Sequence, residues 1–134
     1  MKSAYDSLWR AIIRPPRAIY TIKELGPMEQ DFDGLNTIVR TDLTLEGTHG
    51  HKIYCSHFEP EESEREYNLL PCVVYLHGNS SCRLEALQIL PIVSQAQMTL
   101  FCFDFAGCGK SEGDFITLGW NENKDVQTII KYLR

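Results

Sequence analysis

The sequence predicts an α/β fold in which an antiparallel hairpin leads into a parallel strand-helix-strand-helix unit. Three observations support this prediction. Two partly alternating stretches around a Gly-containing turn predict the hairpin. Two short apolar runs joined by a helical segment predict parallel strands, because such strands are buried and need a long crossover. Apolar residues at i, i+3, i+4 and i+7 near the end of the chain predict a second helix.

Length and composition limit the classes of protein that fit. The chain has 134 residues, which suits one domain, and its formal charge of -5 argues against binding to nucleic acid or to an acidic membrane. No apolar run approaches the length that crosses a bilayer. The five cysteines are odd in number, and several lie in apolar strands. We therefore expect reduced thiols and a cytoplasmic protein.

The N-terminal segment, residues 1–34, is predicted to form an amphipathic helix and an extended leader ahead of a domain at 35–134. The helix covers residues 2–14 and is stopped by Pro15-Pro16. Its short length and lack of a lipidation motif favour packing against the flank of the domain. The alternative is a peripheral membrane contact, favoured by Trp9 and a set of basic residues. Those residues are Lys2, Arg10, Arg14 and Arg17.

The leader is expected to be irregular over 21–36, and strands at 38–45 and 51–58 then form the hairpin. A charged loop over 59–66 leads to the next strand. The hairpin carries three histidines and a cysteine without a compact pair of ligands, so no metal site is predicted. These residues are His49, His51, Cys55 and His57.

A strand over 71–76 has adjacent valines, as in a strand buried on both faces. A helix over 81–97 follows, and Pro91 predicts a kink or a break in it. The next strand covers 98–103, and the last helix covers 119–133. Because open α/β sheets place reacting groups at the turn after a buried strand, the polar turn that begins at His77 is the first candidate site.

The loop over 104–113 contains partial matches to three glycine motifs. A phosphate-binding P-loop would need glycine where Asp104 stands, and a dinucleotide fingerprint would need glycine at Glu112. The Gly-x-Ser-x-Gly match around Ser111 lacks the immediate strand-turn-helix context of a nucleophile elbow, and no histidine follows it. We therefore interpret Ser111 as a loop residue.

The combined motifs resemble those of the α/β-hydrolase superfamily, and most closely its serine-aminopeptidase-like branch of plants and protists. They are Leu76-His77-Gly78-Asn79, then Asp104-Phe105-Ala106-Gly107-Cys108-Gly109-Lys110-Ser111-Glu112-Gly113, then Leu118-Gly119-Trp120-Asn121-Glu122. A leader similar to Arg14-Pro15-Pro16-Arg17-Ala18-x-Tyr20 and a strand similar to Cys55-Ser56-His57 extend the resemblance over nearly the whole chain.

The resemblance implies a role for each motif. The backbone N–H of Asn79 would be one donor of the oxyanion hole, with His77 and Gly78 as turn residues and His77 not as the catalytic base. Asp104 and the glycines after it would shape the pocket floor and its turn, with the glycines at positive φ. The nucleophile, the acid and the catalytic histidine would lie beyond Arg134, so the chain would be the N-terminal half of the fold, truncated before the nucleophile strand.

Such a half would leave strand 71–76 with an unpaired edge and uncovered apolar faces. We expect the 134-residue chain alone to be insoluble or molten and to hydrolyse nothing.

The function that the resemblance implies is hydrolysis of an ester, thioester or amide through an acyl-enzyme, without a cofactor, on a small-molecule or acylated-protein substrate. Two alternatives stay open. One is a non-catalytic binding or scaffold protein with the same framework. The other is a nucleotide-binding domain that uses Gly109-Lys110-Ser111.

Overall fold

The computed structural model describes residues 2–32, 34 and 36–134, and it centres on a five-stranded sheet. In chain order the elements are α1 (Lys2–Ile13), β1 (Glu29–Phe32), β2 (Asn36–Glu46), β3 (Lys52–Pro60), β4 (Cys72–Tyr75), α2 (Leu90–Gln95), β5 (Thr99–Phe103) and α3 (Glu122–Leu133).

The strands lie in the order β1-β2-β3-β5-β4. Strands β1, β2, β3 and β5 pair antiparallel in succession, and β4 pairs with β5 in parallel. The predicted antiparallel hairpin is β2 and β3, and the predicted parallel pair is β4 and β5. The α/β prediction is therefore confirmed.

The two faces of the sheet are covered by different elements. Strand β5 is buried throughout, and its residues alternate between two apolar clusters. Leu100 packs in the cluster that contains Leu90 and Val93 of α2, whereas Phe101 and Phe103 pack in the cluster that contains Ile129 of α3. Strand β5 is thus packed between α2 on one face and α3 on the other.

Strand β4 lies at an edge of the sheet. In the described part of the chain it pairs only with β5, and its exposed fraction is highest at Cys72, while Val73 to Tyr75 are half-buried. The strand therefore packs on both faces only in part, with Val73 and Tyr75 against one apolar cluster and Val74 against the other. The expected unpaired edge is confirmed, because no second neighbour covers β4 among the described residues.

The leader contributes more structure than its sequence indicated. Residues 29–32 form β1, so the expectation of an irregular segment over 21–36 is wrong there. Tyr20 and Leu25 are buried in the cluster on the α2 side of the sheet. The expected domain boundary lies between residues 34 and 35. Asp33 and Leu35, on either side of Gly34, lie outside the described residues.

The helical crossover between β4 and β5 is broken in two. A 3₁₀ helix covers Arg83–Gln88, and α2 begins at Leu90 with Pro91 in its first turn. Proline fits a first turn, because the N–H that it lacks has no intrahelical partner there. The break predicted from Pro91 is confirmed, although the first piece is a 3₁₀ helix.

Helix α1 ends at the predicted place but does not pack as expected. The apolar side chains of Tyr5, Leu8 and Ile12 are 70%, 65% and 53% exposed. Trp9 and Ile13 are half-buried, so within the described part of the chain the apolar side of the helix is covered less than the expected packing against the domain requires. No helix in the described part of the chain is long and apolar enough to cross a membrane.

Candidate functional site at the ends of two parallel strands

The turn after β4 and the loop after β5 meet because the two strands are parallel and in register. Tyr75 is opposite Cys102, so the residues after each strand leave the sheet side by side. The Phe105 N–H donates a hydrogen bond to His77 Nε2 over 3.0 Å. This bond joins the two segments that carry the predicted site residues.

His77 is buried, and its two ring nitrogens form hydrogen bonds with the backbone of Gly78 and of Phe105. Since Nε2 accepts from Phe105 N–H, the neutral ring carries its proton on Nδ1, which lies 2.8 Å from the Gly78 carbonyl oxygen and donates to it. Both ring nitrogens are thus occupied. The arrangement suits a turn residue and leaves no free lone pair for a catalytic base.

Glu85 holds the same turn from the other side. Its Oε2 accepts from the Gly78 N–H over 3.1 Å, and its Oε1 accepts from the Tyr75 hydroxyl over 2.9 Å. Hydrogen bonds from the Ser81 hydroxyl, the Gly78 N–H and the Tyr75 hydroxyl lower the pKa of Glu85, so the carboxylate form is favoured. No motif in the sequence indicated this role of Glu85.

These bonds leave one backbone donor of the turn unused. Among the described residues, nothing accepts a hydrogen bond from the Asn79 N–H. Asn79 is exposed, and the next residue, Ser80, has a φ of +60° that turns the chain sharply.

The turn borders an open cleft of about 220 Å³. It is lined by His77, Gly78, Asn79, Phe105, Cys108, Ile116, Leu118, Gly119 and Glu122. Most of these side chains are apolar, and one carboxylate stands among them. The Glu122 carboxylate accepts from the N–H groups of Thr117 and Gly119, so it fixes the wall of the cleft. Burial raises the pKa of Glu122. The hydrogen bonds from these two N–H groups and from the Thr117 hydroxyl together lower the pKa by more than burial raises it, so the net shift is downward.

Asp104 is enclosed by the loop that it begins. Its buried carboxylate accepts from the Tyr20 hydroxyl over 2.6 Å, from the Arg83 N–H over 2.7 Å and from the Lys110 N–H over 2.9 Å. Burial and the bond to Asp104 raise the pKa of Tyr20, so this phenol stays protonated. The loop that begins at Asp104 is thus held in place by hydrogen bonds to the Asp104 carboxylate.

The glycines of this loop have the backbone conformation predicted for them. Gly107, Gly109 and Gly113 have φ values of +81°, +47° and +106°. At Gly109 a side chain would also collide with the Asp104 carboxylate, whose atoms would lie 2.4 to 2.6 Å from a Cβ. The turn therefore needs glycine both for its conformation and for space.

Ser111 has a structural position. It is buried, its hydroxyl donates to the Asp104 carbonyl oxygen, and the same hydroxyl accepts from the Tyr54 N–H over 2.9 Å. The interpretation of Ser111 as a loop residue is confirmed. The Lys110 N–H, which a P-loop would offer to phosphate, is bonded to Asp104 instead.

The hairpin histidines do not gather into a metal centre. His57 Nε2 lies 2.9 Å from Thr99 Oγ1, and its Nδ1 lies 3.6 Å from Glu59. Burial lowers the pKa of His57 despite the nearby carboxylate. Over residues 2–32, 34 and 36–134, no three His, Cys, Asp or Glu side chains are placed to hold one ion.

Comparison with known proteins shows a similarity of fold only. No protein-family model matches the sequence, and no curated protein matches it. Among solved structures, the Pyrococcus furiosus esterase Pf2001 is similar, with a TM-score of 0.65 and 22% identity over 90% of this chain and 41% of the esterase. The hypothetical protein PA2218 from Pseudomonas aeruginosa has a TM-score of 0.66 and 13% identity over 85% of this chain and 35% of its own.

The fold is that of part of an α/β-hydrolase. The chain spans about two fifths of the length of the esterase. Within this hydrolase fold, the described residues that meet at the ends of β4 and β5 are the predicted turn His77-Gly78-Asn79 and the predicted loop from Asp104. The sequence analysis assigned no role to Tyr20, Arg83 or Glu85, which hold these two segments. Tyr20 and Arg83 lie 84 and 21 positions from Asp104, and Glu85 has no motif that marks its bond to Gly78.

Proposed function

We propose that this chain provides the oxyanion-hole side of a serine hydrolase that cleaves an ester, thioester or amide through an acyl-enzyme. The observation that carries the proposal is the unbonded N–H of Asn79, at the carboxyl end of a parallel strand beside a mainly apolar cleft. In open α/β sheets, ligands bind at this end of the strands.

The proposed role of Asn79 is electrostatic. When a serine attacks the carbonyl carbon of the substrate, negative charge develops on the carbonyl oxygen, and the Asn79 N–H donates a hydrogen bond to that oxygen. Removing one such donor commonly costs about 3 kcal/mol of transition-state stabilisation. His77 and Glu85 support the proposal because they hold the backbone on both sides of the donor before substrate binds.

The cleft suggests an acyl substrate. Phe105, Ile116 and Leu118 offer apolar contact next to the proposed donor, as the acyl chain of a small molecule or of an acylated protein requires. Two described serines near the cleft do not fit the nucleophile, since Ser111 is buried in the loop and Ser81 bonds to Glu85. On this proposal the nucleophile, the acid and the catalytic histidine are supplied by residues that follow Arg134 in the complete protein.

The test compares two substitutions of Asn79 in the complete protein, with a short 4-nitrophenyl ester as substrate. Asn79→Ala keeps the backbone N–H, and we expect its kcat to stay within about threefold of the wild type. Asn79→Pro removes the N–H, and we expect its kcat to fall by about 10²-fold or more with little change in KM.

A fluorophosphonate probe serves as the second measurement, because it reports the nucleophile directly. We expect labelling of the wild type and of Asn79→Ala, and circular dichroism shows whether Asn79→Pro remains folded. A complete protein that neither hydrolyses the ester nor reacts with the probe would contradict the proposal and favour the non-catalytic scaffold. Wild-type kcat in a folded Asn79→Pro variant would remove Asn79 from the mechanism.

A further inference from the structure

Helix α1 presents an apolar stripe that the described part of the protein leaves uncovered. Tyr5, Leu8 and Ile12 follow one face of the helix at spacings of three and four residues, and more than half of each side chain is exposed. Large exposed apolar side chains occur singly on many proteins, but a continuous stripe on an amphipathic helix indicates an interaction surface.

The charge around this stripe has the opposite sign to that of the protein as a whole. Residues 1–17 contain four basic residues and one acidic residue, whereas the whole chain has a formal charge of -5. The single acid, Asp6, accepts a hydrogen bond from Trp9 Nε1 over 3.1 Å. The guanidinium of Arg10 lies 5.5 Å from the Trp9 ring centroid and is exposed. The net charge of the whole chain therefore does not describe residues 1–17, where Asp114 offsets the charge of Arg14 at 3.6 Å.

The helix is fixed at its C-terminal end to the wall of the cleft. The Ile116 N–H donates to the Ile13 carbonyl oxygen over 2.8 Å, and Arg14 lies 3.6 Å from Asp114. Arg17 donates to the carbonyl oxygens of Ser111 and Gly113. Because these bonds hold the end of α1, the exposed stripe keeps a defined position beside the cleft, of which Ile116 is a wall residue.

The segment that receives these bonds also exposes apolar side chains. Phe115, Leu118 and Trp120 are 47%, 66% and 76% exposed, and the Lys124 ammonium lies 5.7 Å from the Trp120 ring centroid. An apolar surface next to a basic one thus continues from the helix to the rim of the cleft. Aromatic and basic side chains in this combination are typical of segments that lie at the headgroup level of a bilayer.

We propose that α1 docks on the surface of a bilayer that contains anionic phospholipid, with Tyr5, Leu8 and Ile12 in the acyl boundary and Arg10 near the headgroups. Charge complementarity selects this occupant over a dimer that pairs α1 with α1, because such a dimer would bring like-charged helices together. The inference does not depend on the proposed hydrolase chemistry, since it concerns a different surface.

The experiment is co-flotation of the whole protein with vesicles of phosphatidylcholine and phosphatidylserine, and with vesicles of phosphatidylcholine alone. We expect the wild type to float with the mixed vesicles. The fraction of protein that floats should fall as the salt concentration is raised. The double variant Leu8→Glu, Ile12→Glu removes the apolar stripe, and we expect its partitioning to fall about tenfold or more. Arg10→Glu should lower partitioning to the mixed vesicles about tenfold and leave the neutral vesicles unaffected.

The control for added charge is the double variant Leu69→Glu, Ile92→Glu. These two side chains are 91% and 69% exposed and lie outside α1, so the change in net charge is matched. We expect it to float like the wild type. A second measurement compares the wild type with Trp9→Phe: tryptophan emission of the wild type should move to shorter wavelength with the mixed vesicles, and the shift should be smaller in the variant.

Several results would overturn the proposal. They are failure of the wild type to float, equal floating of the Leu8→Glu, Ile12→Glu variant, and equal floating on the two kinds of vesicle. A concentration-dependent dimer that this variant abolishes, without lipid binding by the wild type, would assign the stripe to a second copy instead. Because none of the substituted residues lies in the buried clusters, the variants should keep the thermal transition of the wild type.

Discussion

Gly109 packs directly on the carboxylate of Asp104, at a distance that leaves no room for a side chain. A Cβ at Gly109 would lie 2.4 Å from Asp104 Cγ, and the residue has a φ of +47°. The two residues are therefore a matched pair, in which the absent side chain of one makes space for the buried charge of the other.

Gly109→Ala should destabilise the protein through both effects. The positive φ alone costs about 1 kcal/mol for a non-glycine residue, and the collision with a buried carboxylate should raise the loss to about 3 kcal/mol. Gly34→Ala is the matched control, since Gly34 has a φ of +66° and nothing within 4 Å of its added Cβ. Urea unfolding of both variants measures the difference, and equal losses would contradict the packing argument.

The turn after β4 should weaken in acid because of Glu85. The folded state lowers the pKa of this carboxyl, so the stabilisation is fully present above its ordinary value of 4.5 and is lost as the pH falls through the folded value. Glu85→Gln should therefore be less stable than the wild type at neutral pH, and the gap should narrow as the pH falls below 4.5. Thermal unfolding at several pH values measures this gap, and a constant gap would argue against the prediction.

One of the five cysteines should react with a thiol reagent in the native protein. Cys72 is exposed, whereas the other four are buried, and burial raises the pKa of Cys55 and of Cys102 to about 12 and of Cys108 to about 11. Burial also raises the pKa of Cys72, so its reaction should be slower than that of a free thiol. Ellman's reagent should titrate one thiol fewer in native Cys72→Ser than in the native wild type, and peptide mapping of the labelled protein should place label on Cys72 and on none of the other four.

The open edge of β4 should promote association of the 134-residue chain on its own. Leu76, directly after the strand, is 49% exposed, and unpaired apolar edges favour strand addition between molecules. Leu76→Lys should therefore shift the sedimentation profile towards smaller species. Leu69→Lys places the same charge at a more exposed site outside any strand, and an equal effect of the two variants would indicate general charge repulsion instead.

The sequence identified the elements that have a strong periodic pattern. The hairpin, the buried strand β5 and the helices α1 and α3 were all predicted, because alternation or helical spacing of apolar residues marks each one. Strand β1 was missed since Glu29, Gln30 and Asp31 are polar, and only its pairing with β2 makes it a strand. Gly26-Pro27 just before it also favoured a turn.

The candidate site was predicted in part, and the reason lies in the range of its contacts. The turn His77-Gly78-Asn79 and the loop from Asp104 follow strands, so local sequence was enough to place them. The bonds that hold them come from Tyr20, Arg83 and Glu85, which have no local pattern. The same holds for Asp125, a buried residue of α3 whose carboxylate accepts from the Thr48 N–H in the hairpin turn.

The three bonds to Asp104 also have a consequence for the order in which the protein assembles. Their partners are separated from Asp104 by 6, 21 and 84 positions, at Lys110, Arg83 and Tyr20. Because the entropy cost of closing a chain rises with its length, the bond to Lys110 should form first and the bond to Tyr20 last. On the ribosome, the leader is made first. It must then wait, without its final partner, until the carboxylate that it contacts has been synthesised.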